Sequence, residues 1–263
     1  SFDELILSNN LETIESSAFE SCAGFKNELK LPDSLYSIGE SAFTECSGFS
    51  GDLVIPSKIT IITDSAFRKC SGFSGSLLLP SNLLEIGIYA FHQCTNLSGE
   101  LKIPDSVTNI DEFAFQECSG FSGSLVIPSK ITVIKSYVFN RCSGFDGTLS
   151  LHDKIKTIEE NAFSYSYNFK GSLVIPSNIS EVKVSAFQDC VGFDGELILS
   201  PNMKFVDNYC FSGCYHFTGS LIIPESVIQI ESHAFYRCSG FDGTLNLSSK
   251  LTNINKWAFA YCY

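Results

Sequence analysis

Cysteine is the residue type whose spacing in this chain most invites chemistry. Ten of the eleven cysteines recur at an interval of 24 residues: Cys22, Cys46, Cys70, Cys94, Cys118, Cys142, Cys190, Cys214, Cys238 and Cys262, with Ser166 in the one missing place. Disulfides, a metal site and a ladder of free thiols are the chemistries to weigh. Rungs about 4.8 Å apart would lie within disulfide range. Yet side chains stacked by a strict repeat point the same way, and bridging two would twist a coil out of register. A metal site asks for clustered ligands such as C-x-x-C, and only Cys210-x-x-x-Cys214 comes near. The expected reading is a ladder of buried, reduced thiols acting as small hydrophobes. The histidines, His92, His152, His216 and His233, fall in four different places of the repeat, so none pairs with a nucleophile. No catalytic, metal or cofactor-binding site is expected.

Composition narrows the partners. Twenty-nine acidic against 17 basic residues leave a formal charge of -12. That balance argues against nucleic acid, whose phosphates need clustered Lys and Arg. No apolar run approaches the roughly 18 residues of a membrane span. The sequons at Asn96, Asn178 and Asn246 carry meaning only in a secreted protein.

The elements that hold the cysteines follow from a second column. Phenylalanine recurs at Phe19, Phe43, Phe67 and every 24 residues to Phe259, eleven times without a slip. Ala precedes it in nine units; Val138 and Cys210 are the exceptions. In the third unit, Leu53 and Ile55 alternate about Val54, the period-two sign of a short strand. Pro56 ends that strand, since proline donates nothing to a ladder. Ile59 and Ile62 form a second inward pair, predicting a second, shorter set of strands. Ser65-Ala66-Phe67 to Cys70 predicts a single helical turn, and Gly72 and Gly75 turn the chain back. One such unit cannot bury its apolar residues alone; stacked units bury them in columns. The predicted fold is an α/β repeat solenoid dominated by strand. It is an arc of eleven 24-residue coils with a parallel sheet and short helical turns, a single unit over 1–263.

The pattern L-x-[IL]-P-x-x-[IL]-x-x-I-x-x-x-A-F-x-x-C resembles the Treponema pallidum type of leucine-rich repeat, found in BspA-like surface proteins of bacteria and of protists such as Trichomonas. The spacing Phe73-Ser74-Gly75-Ser76-Leu77 looks most like the protist versions. The sequence departs from typical leucine-rich repeats in having proline after the strand, and His152, Ser200 and Ser248 break that proline column. The resemblance implies a surface-displayed adhesion or recognition protein with a protein or glycoprotein ligand, at the cell surface or outside the cell. The alternative is a structural spacer or cytoplasmic scaffold with no ligand on this segment. It implies no catalytic residue and no cofactor.

Two outward columns are the candidate partner-binding features. The residue between the inward strand positions is aliphatic in seven of eleven units, including Val54, Leu78, Val126, Val174, Ile198 and Ile222. It is expected to face the concave side, where a solvated strand would be polar. An apolar strip for a partner stands against β-propensity with shielding by neighbours. The residue before the Ala column gives two runs of rings, Tyr89, Phe113, Tyr137 and Tyr209, His233, Trp257. These are interface anchors or packing against the coil. Both terminal units keep the full apolar pattern, Leu5, Leu7, Leu11 and Ile14 against Leu245, Leu247, Leu251 and Ile254. Neither reads as a polar cap, so a fragment of a longer array or self-association through the ends is expected.

Overall fold

A computed structural model describes residues 2–263; Ser1 lies outside them. The chain winds as stacked coils with two columns of short parallel strands. On the first strand face, Leu53–Val54 pairs with Leu77–Leu78, Leu125–Val126 with Leu149–Ser150, Leu173–Val174 with Leu197–Ile198, and Leu221–Ile222 with Leu245–Asn246. In each pair a residue meets its equivalent one coil on. On the second face, Ile61–Ile62, Glu85–Ile86 and Asn109–Ile110 make a three-stranded ladder, as do two later sets. Alternation decides the faces: Leu53 is buried and Val54 exposed, Ile61 exposed and Ile62 buried. Between the two, the Pro56 carbonyl accepts Ile59 N–H at 3.0 Å, a tight turn repeated after most of the column prolines.

The predicted helical turn is corrected: among the described residues there is no helix. The residue before the Ala column and the second residue after Phe have positive φ in every coil, 55–64° at all the non-glycine positions and 76° at Gly213. Two left-handed residues per turn cannot continue a helix. They fold the segment so that alternate N–H groups point in different directions. Those of Ala18, Glu20 and Cys22 close local turns on Glu15, Ser17 and Phe19, while those of Ser17, Phe19 and Ser21 donate to Glu40, Ala42 and Thr44 of the next coil. The coil-to-coil ladder therefore continues along the third side. Forgoing a helix costs no backbone pairing there.

Inside, the Phe column stacks ring on ring, with steps of 5.2 Å from Phe19 to Phe43 and from Phe235 to Phe259 and 5.7 Å from Phe67 to Phe91. Phe43 to Phe235 are fully buried, but Phe19 and Phe259 are only partly so, and the spine is less covered at both ends than expected. A second spine runs beside it through Phe25, Phe49 and Phe73, and again from Phe121 to Phe241, interrupted by Leu97. Edge-to-face contacts such as Phe43 with Phe49, at 6.2 Å, tie the two spines together.

The coils also alternate in pairs. From Phe121 onward the first-face ladder closes within pairs of coils and breaks between them. Gly123, Gly171 and Gly219 adopt φ of 75–76°, and their N–H groups donate to Asp146, Asp194 and Asp242 at 2.7–2.8 Å. The aspartates stand 48 residues apart, as do His152, Ser200 and Ser248, which take the proline place. On the first strand face, the period of this half is two coils.

Candidate functional site

The aliphatic column stands out from the first strand face. Val54, Leu78, Val126, Val174, Ile198 and Ile222 are 45–59% exposed. Pairing places Val54 beside Leu78 and Val174 beside Ile198, with Ile222 on the next first-face strand, which pairs with Leu245–Asn246 and not with Leu197–Ile198. Val126 stands apart, opposite Ser150 and after Lys102. The column is thus two short apolar clusters and one isolated valine.

Both aromatic runs form stacks. Tyr89 lies 4.6 Å from Phe113, and Phe113 4.8 Å from Tyr137. Tyr209 lies 4.6 Å from His233, with Trp257 further along at 6.3 Å. Every one of these residues sits in the left-handed region, which is costly for a bulky side chain. Ring stacking returns about 0.5–1.5 kcal/mol per contact. Arg68 lies over Tyr89 and Lys256 over Trp257. Tyr209 and Trp257 are exposed, and the other four are half-buried, each stacked on at least one neighbour.

The cysteine column does something that the small-hydrophobe reading missed. From Cys46 onward, each Sγ of the column donates to the carbonyl of the Phe one coil back: Cys70 to Phe43 at 2.9 Å, Cys94 to Phe67 at 3.0 Å, Cys238 to Phe211 at 3.0 Å. That same carbonyl takes the local turn bond, as from Cys46 N–H to Phe43. Ser166, the exception, makes the same contact to Phe139 at 2.8 Å. The column selects a small donor rather than a hydrophobe, and Ser166 was the signal in the sequence that could have shown it. All eleven thiols are free. Cys22 is half-buried and Cys262 exposed, so the ladder is buried only from Cys46 to Cys238. Burial pushes the Cys94 thiol up to about 12, which disfavours the thiolate that nucleophilic or metal chemistry needs.

The histidines stay apart. His152 bonds Pro128 O and His216 bonds Val191 O, each at 2.8 Å. His92 is buried, and desolvation lowers its pKa. Among the described residues no group of three His, Cys, Asp or Glu is placed to hold a metal ion, and no helix is long and apolar enough to cross a membrane.

Comparison with known proteins agrees with this architecture. A leucine-rich repeat protein from Bacteroides ovatus superposes with a TM-score of 0.53 at 22% identity, over 96% of this chain and 80% of the other. One from Eubacterium ventriosum gives 0.51 at 17% identity, over 90% and 83%. The T. pallidum leucine rich repeat protein gives 0.41 at 22% identity, over 81% and 76%. No curated protein matches the chain. The model of the BspA type leucine rich repeat region matches residues 1–75, 74–194 and 194–263 in six copies. The chain therefore belongs to the BspA-type leucine-rich-repeat family.

Proposed function

We propose that this chain is a non-enzymatic protein-binding module, displayed at the cell surface as an adhesin or recognition array for a protein or glycoprotein ligand. The observation that carries the reading is the exposed aliphatic column, with Val54 paired to Leu78, Val174 paired to Ile198 and Ile222 on the next first-face strand. Exposed apolar groups clustered on rigid strands are what a partner desolvates. Tyr209 and Trp257 supply a second, aromatic anchor, whereas Tyr89, Phe113, Tyr137 and His233 serve mainly their own stacks. The protist-type reading rests on the Phe73-to-Leu77 spacing, and the surface location on family habit. A further proposed contact is self-association through the C-terminal coil, where Leu245, Leu247 and Ile254 are 44–49% exposed.

The test is capture from solubilised cell-surface and extracellular-matrix proteins on the immobilised chain. A parallel column carries the variant with Val174, Ile198 and Ile222 each changed to Ser. Proteins retained by the first and lost by the second support the module. Identical retention on both, or none on either, favours the spacer reading.

A further inference from the structure

The residue that turns each coil into its first strand is glycine in the last nine units, from Gly51 to Gly243, and asparagine in the second, at Asn27. The reason for glycine differs along the column: Gly51, Gly99, Gly123, Gly171 and Gly219 adopt φ of 75–76°, whereas at Gly75, Gly147, Gly195 and Gly243 the reason is spacing. A Cβ at Gly75 would stand 2.9 Å from Asp52 N, one at Gly147 2.6 Å from Ser124 N, and one at Gly195 2.7 Å from Ser172 N. For a residue outside the left-handed region, a side chain at this place and the ordinary coil spacing exclude each other. Asn27 has a side chain and, like Gly75, Gly147 and Gly195, lies outside the left-handed region. The step before it therefore opens on the first strand face.

The hydrogen bonds record the opening. In a closed step, Leu53 N–H donates to Ser76 O and Ile55 N–H to Leu78 O. Here Leu5 N–H donates to Asn27 Oδ1 at 3.1 Å, and Asn27 Nδ2 donates to Leu5 O and Glu28 O at 3.1 and 2.9 Å. Among the described residues, Leu7 N–H and Lys30 C=O make no hydrogen bond, as at the other unpaired first-face steps such as Leu79 to Lys102, and what sets this step apart is the Asn27 amide and the groove beside it. The other sides of the same step stay closed: Thr13 pairs with Ser37, and Phe19 stacks on Phe43 at 5.2 Å. The result is a groove of about 680 Å³, floored by Leu5, Leu7 and Leu31 and edged by Glu4, Glu28 and Asp33. Lys30 is its one cation.

We propose that this groove binds an extended, basic polypeptide segment. The segment lies along the opened step, its backbone meeting Leu7 N–H and Lys30 C=O. One set of alternating side chains packs on the leucines and the other meets the carboxylates. Main-chain pairing supplies attachment and the alternating side chains supply selectivity, as in strand addition to a sheet edge. The site does not depend on the aliphatic column of the later coils.

Fluorescence anisotropy with a labelled peptide of alternating valine and lysine tests it, with a valine–glutamate peptide as control. The chain should bind the first saturably and the second at least about tenfold more weakly. Asn27→Gly restores the residue of the column and closes the step, so it should weaken binding by a similar factor while leaving the circular dichroism spectrum unchanged. Changing Glu4 and Glu28 to Lys, both exposed, should invert the peptide preference. The Val174, Ile198 and Ile222 serine variant should bind the peptide as the unaltered chain does. Undiminished binding by Asn27→Gly, equal binding of both peptides, loss in the serine variant, or no saturable binding at all would overturn the proposal.

Discussion

At the scale of single residues, the cysteine column turns on whether a buried thiol is there for its bulk or its hydrogen. Cys118 is fully buried and donates to Phe91 O at 3.0 Å. If the hydrogen matters, Cys118→Ser keeps the bond while Cys118→Ala leaves that carbonyl one partner short, at about 1–3 kcal/mol. Urea unfolding should rank serine above alanine, and the hydrophobe reading predicts the reverse order. The same burial sets a pH dependence. Desolvation raises the thiols of Cys70, Cys118, Cys190 and Cys238, and raises Cys94 from 9.0 to about 12. The folded state therefore holds these protons more tightly than the unfolded chain. The stability that Cys94 contributes is complete below about pH 9 and is lost as pH rises from there towards about 12, by about 1.4 kcal/mol per pH unit, and the other raised thiols act in the same direction. Urea midpoints across the alkaline range should fall, and fall less steeply in Cys94→Ser. A flat profile would contradict the burial of the ladder.

At the scale of the element, two features carry the coil. The Phe spine is the first. Phe139 is 1% exposed and stacked on Phe115 at 5.6 Å and Phe163 at 5.7 Å. Phe139→Ala should cost about 3–5 kcal/mol in chemical denaturation, whereas Phe259→Ala, at the partly exposed end, should cost less. The left-handed turn is the second. Ser65 has φ of 56° and is only half-buried, so substitutions there report on the backbone. Ser65→Gly should be neutral or stabilising by up to about 1 kcal/mol, and Ser65→Val destabilising by about 1–3 kcal/mol. A single helical turn at this place would give the opposite order, because glycine is the poor helix former of the two.

At the scale of the whole molecule, coils contact only their neighbours, so the last coil shows what the interior columns hide. Leu245, Leu247, Ile254 and Trp257 are each 44–49% exposed, while Leu221 and Ile230 one coil earlier are buried. Sedimentation velocity of the 263-residue polypeptide should show concentration-dependent association, reduced by Leu245→Lys with Leu247→Lys. A monomer unchanged with concentration would contradict it.

The 24-residue interval was enough to read which residues stack on which. It placed the inward leucines and isoleucines, the Phe spine, the cysteine column and the outward Val54 column, because a solenoid turns a period in the chain into neighbours in space. The second spine through Phe25 and Phe49, and the 48-residue alternation of Asp146, Asp194 and Asp242, were written in the same sequence as longer or parallel repeats. Three features needed the folded backbone. Ser65-Ala66-Phe67 has the composition of a helical turn, and only the demand that Ser65 and Phe67 donate to the next coil shows why two residues per coil are left-handed. The thiol-to-carbonyl bonds span 27 residues and depend on the direction of the Phe carbonyl, which no spacing encodes. Asn27 reads in the sequence as one polar residue among glycines. That it opens a groove follows from the 2.6–2.9 Å that separate a Cβ at Gly75, Gly147 and Gly195, which share its backbone region, from the preceding coil. Periodicity names neighbours; distance and bond direction, which decide what neighbours do to one another, exist only once the coils have closed.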